Sequence, residues 1–165
     1  MLRRMFVWGF VVDTATNRPF VILKETEGER ILSLEIGLLE APIVTNVLKG
    51  GKFSRPMPHD LLTNIIGLIN TEVNKVEIND LRDNRYYALI HIIHNGKELH
   101  LDARPSDALT IAVKMNAPIF AEEYVIQKSK HVELTKEPEV RSEGKEKWKE
   151  ILENLHPEDF GKYKM

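Results

Sequence analysis

A chain of 165 residues with no cysteine rules out a disulfide framework, a thiolate metal site and a cysteine nucleophile, and its length suits one well-buried core rather than two ordinary domains. Its 23 basic and 25 acidic side chains leave a formal charge of -2. A grip on nucleic acid is therefore not written into the totals and has to come from local basic patches or a bridging divalent ion.

No apolar run approaches membrane-spanning length, and Met1-Leu-Arg-Arg-Met-Phe-Val-Trp leads into Gly9 rather than into a long signal core, so a soluble cytoplasmic protein is expected. Phe6 to Val12 has strand composition, and Asp13 to Arg18 supplies turn residues. Phe20 to Leu23 pairs through a Glu27-Gly28 turn with Arg30 to Ile36, a hairpin. Gly37 breaks the strand, Leu38 to Leu48 reads as a first helix with Pro42 in its opening turn, and Gly50-Gly51 closes it. The loop from Lys52 carries Arg55 into a second helix near Pro58, whose predicted buried stripe is Leu61, Leu62, Ile65, Ile66 and Ile69. His59 and Asp60 stand in its first turn, where the helix field favours a carboxylate and a histidine ordinarily donates to a nearby carbonyl.

Val73 to Ile78 alternates as a strand and runs into Asp80-Leu-Arg-Asp-Asn-Arg85, with more charged and amide side chains than a tight turn needs. Arg85 to His94, an Asn95-Gly96 turn and Lys97 to Asp102 extend an antiparallel meander. His91, His94 and His100 raise the question of zinc. Residues 91 and 94 differ by an odd number and so point to opposite faces, and no cysteine or H-x-x-x-H pair supports them, so a structural zinc site is not expected.

The sharpest change of period follows. Leu99 and Leu101 alternate with His100 and Asp102, whereas from Pro105 onward Ala108, Leu109, Ile111, Ala112 and Met115 follow helical spacing. Proline suits a first helical turn, and Ser106 and Asp107 suit the free amides there, so Asp102, Arg104 and Asp107 are expected to crowd one helix mouth. Two readings stay open: capping with one ion pair, or a polar site in which Asp102 and Asp107 hold a metal or a proton and Arg104 holds an anion.

Ala117 to Phe120 reads as a short strand and Glu122 to Ile126 as a brief helical turn. Beyond Gln127 the apolar content collapses into mixed charge, and then Trp148, Ile151, Leu152 and Leu155 recover a helical stripe. The expected organisation is a core domain over 1–128, a charged linker over 129–143 and an amphipathic helical segment over 144–165, docked on the core. An internal repeat underlies the core. Leu32-Ser-Leu-Glu-Ile-Gly-Leu-Leu-Glu40-Ala41 aligns without gaps on Leu99-His-Leu-Asp-Ala-Arg-Pro-Ser-Asp107-Ala108, which implies two related hairpin-plus-helix units about a pseudo-twofold axis with a crevice between them.

Arg55-Pro-Met-Pro-His-Asp-Leu-Leu, Asp80-Leu-Arg-Asp-Asn-Arg-Tyr-Tyr-Ala and Leu101-Asp-Ala-Arg-Pro-Ser-Asp-Ala-Leu, in this order and spacing, resemble the bifunctional nuclease domain family over about residues 6 to 126. The resemblance extends to bacterial members in Asn154-Leu-His-Pro-Glu-Asp-Phe160. It implies a compact α+β domain with a mixed, mostly antiparallel sheet and packed helices, assembled as a homo-oligomer, and acting on both DNA and RNA. The positions carried over by motif are Glu40, Arg55, His59, Asp60, Asp80, Arg82, Asp83, Asp102, Arg104, Ser106 and Asp107; Glu35 departs from the aromatic residue typical there.

On this reading the protein is a phosphodiesterase of little sequence preference. His59, Asp102 and Asp107 are the catalytic candidates, and Arg55, Arg82 and Arg104 the phosphate clamps. Asp80, Asp83, Asp102 and Asp107 are the candidate ligands of Mg2+ or Mn2+. The alternative is a non-catalytic regulatory or ligand-binding module in which the same Asp and Arg side chains form capping and ion-pair networks.

Overall fold

A computed structural model describes residues 1–13 and 15–129. The expected amphipathic segment over 144–165, and the expected linker apart from Ser129, lie outside the described residues.

The fold is α+β; the described residues form one seven-stranded mixed sheet and four helices. The strands are β1 (Leu2–Asp13), β2 (Arg18–Glu25), β3 (Ile31–Glu35), β4 (Thr71–Arg82), β5 (Arg85–His94), β6 (Lys97–Ala103) and β7 (Ile119–Glu122). The helices are α1 (Ala41–Leu48), α2 (Pro58–Leu68), α3 (Pro105–Met115) and α4 (Glu123–Lys128). Strand order is β3-β2-β1-β7-β4-β5-β6, antiparallel throughout except for the parallel β4–β7 pair.

This order exposes the repeat. Read inward from either edge, the sheet presents the third, second and first strands of a three-stranded meander, and each meander hands over to a helix, α1 or α3. β7 is wedged between the halves, antiparallel to β1 and parallel to β4, so β1 and β4 run in opposite directions, as a twofold axis through the sheet requires.

The core lies between the sheet and its helices. Leu23, Leu32, Leu34, Val76 and Ile78 from the strands meet Leu109, Ile111 and Ala112 from α3, and α4 adds Val125 and Ile126. Alternation decides which strand residues enter it. Ala88 and Ile90 of β5 are buried there, and their direct partners on β6, Ala103 and Leu101, share that face. Leu89 and its partner Asp102 point to the other side of the sheet.

Two expectations are corrected. Of the stripe assigned to α2 only Ile66 is buried; Leu61, Leu62, Ile65 and Ile69 are exposed, as is Leu68 at 81%. Helical spacing marks an apolar face correctly, yet α2 meets the described core through a single line of side chains. The apparent excess of polar residues in Asp80 to Arg85 is also absorbed locally. Asp83 and Asn84 both take positive φ, 49° and 58°, as the two central residues of a tight hairpin turn between β4 and β5. Among the described residues, no helix is long and apolar enough to cross a membrane.

Burial of this kind predicts a contrast within the helices. Leu109→Ala should lower stability by about 2–5 kcal/mol through transfer and cavity terms, whereas Gln127→Ala, at an exposed position of α4, should stay within about 0.5 kcal/mol. Urea unfolding midpoints at constant slope measure both; equal losses would show that Leu109 is not packed in the core.

Candidate functional site

The strand-to-helix junction after β6 is built by Arg104 and Pro105. Arg104 occupies the N-cap position of α3 in an extended conformation, φ -71° and ψ 147°, and Pro105 opens the helix where no amide hydrogen is needed. Asp107 sits in the first turn, favoured by the positive helix end. The Arg104 side chain makes the site: its Nε donates to Asp107 Oδ2 at 2.8 Å and its Nη2 to Asp107 Oδ1 at 3.2 Å, a two-pronged grip. Its Nη1 donates to Glu40 Oε1, and Ser106 Oγ donates to Glu40 Oε2 at 3.3 Å. Asp107 first, and then Glu40, raises the guanidinium above its ordinary pKa, so it stays charged at any working pH.

Glu40 is the N-cap residue of α1, and in the gapless repeat alignment it is the counterpart of Asp107. Equivalent carboxylates from the two repeat units thus hold one guanidinium. The helices that follow the two units, α1 and α3, pack against one another here.

The mouth of α2 supplies the second group. Asp60 Oδ2 accepts the Met57 amide at 2.7 Å, and Asp60 Oδ1 pairs with Lys114 of α3. Lys114 above all, and then the amide, holds the Asp60 carboxyl below the usual range. His59 is mostly enclosed, its ring edge-on to Phe53 with centroids 6.0 Å apart. Its Nε2 is buried without a hydrogen-bond partner; Asp60 Oδ2, at 3.7 Å, is too distant to serve. Burial pushes the His59 pKa down, against the opposing pull of the Asp60 charge and, more weakly, that of Asp107. His59 is therefore an uncharged imidazole near neutral pH, able to take a proton.

A third group lies at the β4–β5 turn. Asp80 Oδ1 accepts the Leu81 amide and the Tyr124 hydroxyl, at 2.8 Å and 2.7 Å, and Asp80 Oδ2 pairs with Arg82, whose guanidinium also lies over the Tyr87 ring. The Tyr124 hydroxyl first, then Arg82, lowers the Asp80 pKa, and Asp80 in turn pushes Tyr124 up to about 12.

The sequence-derived candidates are thus partly gathered. Arg104 and Asp107 meet, with His59 near enough to feel the Asp107 charge. Arg82 and Asp80 form a separate pair, Asp83 is a turn residue, and Arg55 is exposed in the loop before α2. Asp102 faces the opposite side of the sheet from the helices. Among the described residues, Asp80, Asp83, Asp102 and Asp107 do not bring three ligand atoms together for one ion. Lys114 and Tyr124 are contributors that spacing alone did not single out. Another set, His91 with Glu98 and His100, does converge. Its signal was available in the Asn95-Gly96 turn, whose two-residue length sets His91 opposite His100.

Comparison with known proteins gives a match to the bifunctional nuclease domain over residues 21–133. An uncharacterized protein of Mycobacterium tuberculosis is 33% identical over 159 residues, covering 93% of this chain and 95% of its own length. Bifunctional nuclease 1 of Arabidopsis thaliana is 30% identical over 126 residues, 71% of this chain and 37% of the plant protein. Bifunctional nuclease 2 of Oryza sativa subsp. japonica is 29% identical over 116 residues, 67% and 35% respectively. The chain thus spans a minor part of the plant nucleases and nearly the whole of the mycobacterial protein.

The enclosed imidazole makes the site pH-sensitive in a defined direction. Because the folded state disfavours protonated His59, its contribution to stability is complete above the unfolded value of about 6.5 and is lost as pH falls below it. An NMR titration should place the His59 midpoint below that of an unstructured histidine, and His59→Gln should flatten the stability slope just below pH 6.5. A midpoint at or above the ordinary value would mean that His59 is solvated or ion-paired.

Proposed function

The chain belongs to the bifunctional nuclease domain family, and from that premise we propose that it hydrolyses phosphodiester bonds of RNA and DNA with little sequence preference, in the cytoplasm. The observation that carries the reading is the family match across residues 21–133, which takes in all three motif segments and both helix mouths built from them. What the geometry adds is a division of labour. Hydrolysis needs a water deprotonated as it attacks phosphorus, neutralisation of the phosphoryl oxygens and protonation of the leaving oxygen. His59 supplies an uncharged acceptor for the water's proton once its Nε2 is opened to the substrate, and Arg104, 63% exposed, presents N–H groups that a phosphate oxygen can share with Glu40 and Asp107.

Around Arg104 two carboxylates outnumber one guanidinium, so a diester brought there needs a compensating cation. That imbalance is the physical case for dependence on Mg2+ or Mn2+. The set Asp80, Asp83, Asp102 and Asp107 does not suit one such ion, with Asp80 and Asp107 engaged by arginines and Asp102 across the sheet, and no catalytic step is assigned to a metal there.

The same engagement favours a second reading. Carboxylates already committed to Arg104, Lys114 and Arg82 are what a ligand-binding or regulatory module with fixed turns would contain. Purified protein incubated with single-stranded RNA and DNA separates the two. Cleavage is expected, stopped by EDTA and lowered about 100-fold or more by Arg104→Ala and by His59→Asn. Cleavage that persists in both folded variants would remove the reaction from this site, and no cleavage under any divalent ion would leave the binding module.

Self-association belongs to the same proposal, and the surface offered for it is the apolar face of α2, where Leu61, Ile65 and Leu68 are exposed. Light scattering should then give a mass above the 19.0 kDa of one chain, reduced towards it by Ile65→Lys with Leu68→Lys. A monomeric wild-type protein would overturn this part alone.

A further inference from the structure

On the sheet face turned away from α1, α2 and α3, His91 of β5 stands directly opposite His100 of β6, their rings 4.4 Å apart and tilted by 56°. Glu98, two residues before His100, shares that face. Glu98 Oε1 lies 3.1 Å from His91 Nδ1 and 3.5 Å from His100 Nε2, and one donor atom from each of the three residues lies within 4.8 Å of the other two. A fourth residue stands behind them: His91 Nε2 is 3.1 Å from Glu77 Oε2, and Lys75 Nζ holds that same oxygen at 3.1 Å.

This arrangement is not self-sufficient. The His91 side chain is only 8% exposed, and its Nε2 is enclosed without an aligned hydrogen bond. A neutral imidazole has one N–H, yet both ring nitrogens face carboxylate oxygens. One lone pair must therefore oppose another unless a cation intervenes. A second proton on His91, with a neutral His100 donating Nε2–H to the same Glu98 oxygen, is one way to supply that cation. A metal ion held by all three residues is the other. Zinc bonds of about 2.0–2.2 Å to nitrogen and oxygen in tetrahedral geometry place donors about 3.3 Å apart, a separation bracketed by the 3.1 Å and 3.5 Å seen here.

We propose that His91 Nδ1, His100 Nε2 and a Glu98 oxygen bind one divalent ion of the zinc class. Two imidazoles and one carboxylate select such an ion over Mg2+, which prefers oxygen donors and retains water. Glu77, 3.1 Å from His91 Nε2, is placed to accept that N–H once ligation through Nδ1 realigns the ring, which then fixes the tautomer. Glu98 and His100 are about half exposed, so the fourth coordination position opens to solvent and can take water or an external ligand. The site is independent of the nuclease reading, since it shares no residue with the Arg104 cluster and lies on the other face of the sheet.

The test uses the full chain without an affinity tag, stripped of metal by a chelator and titrated with Zn2+ by calorimetry near pH 7.5. Co2+ serves as a spectroscopic probe, because its visible bands distinguish four-coordinate from six-coordinate ions. One equivalent per chain is expected, with four-coordinate Co2+ bands. His100→Ala and Glu98→Gln, both at exposed positions, should remove saturable binding while circular dichroism stays unchanged. Glu77→Gln should keep the stoichiometry and weaken affinity by about 10–100-fold. No saturable uptake, or uptake unchanged in His100→Ala, would overturn the proposal; the latter would move the ion to other histidines. A metal-free protein whose NMR spectrum shows both His91 nitrogens protonated at neutral pH, and which refuses zinc, would show that a proton holds the pair instead.

Discussion

The guanidinium of Arg104, shared between Glu40 and Asp107, ties together what the rest of the chain separates. Its energy is modest, because all three side chains reach solvent and exposed pairs contribute at most about 1 kcal/mol each. Its effect is geometric. Glu40 opens α1 and Asp107 opens α3, so one planar fork fixes the distance between the mouths of helices that follow opposite halves of the sheet. A lysine would hold either carboxylate; it lacks the fixed spread of donors needed to hold both.

The halves are joined covalently by α2 and structurally by β7. That strand has only four residues, yet it lies at the centre of the sheet and pairs with β1 on one side and β4 on the other. A short central strand can do this because Ile119 and Ala121 are buried in the common core and the backbone is satisfied along both edges. The meanders cannot then slide past one another without exposing alternate side chains, which secures the register that brings Arg104, at the end of β6, to Glu40 at the mouth of α1.

Where a local rule decides, the sequence was readable. The switch from period two to helical spacing at Asp102 to Ser106 located the β6–α3 junction, and the gapless alignment set Glu40 opposite Asp107, the two carboxylates that Arg104 holds. Asp102 shows the limit of proximity along the chain: it is two residues from Arg104, but alternation with Leu101 and Ala103 sends it through the sheet to the other face. Alternation was equally decisive for the histidines. Comparing 91 with 94 along one strand correctly separates that pair, whereas the turn at Asn95-Gly96 fixes the cross-strand partner of His91 as His100. The exposed face of α2 was beyond the reach of periodicity, which identifies an apolar stripe and carries no information about what covers it. Nor could spacing foresee Lys114 on Asp60 or Tyr124 on Asp80, since each contact depends on how helices settle on the sheet.

The sheet therefore separates two kinds of chemistry that the sequence interleaves. On the helical side, Arg104, Asp107, Glu40, Asp60 and Lys114 form a charged surface of oxygens and cationic nitrogens, where an anion competes for the cations and a hard ion for the carboxylates. On the open side, imidazoles and Glu98 form a mixed nitrogen and oxygen set backed by Glu77. Residues adjacent in sequence, Asp102 and Ala103, already belong to different sides. The buried layer between them, with Ala88, Ile90, Leu109 and Ile111, excludes water and fixes both surfaces. The constraint runs both ways: β5 buries Ala88 and Ile90 under the helices, and β6, the edge strand paired to it, turns Leu99, Leu101 and Ala103 to that side and so presents Glu98, His100 and Asp102 as an ordered row on the other.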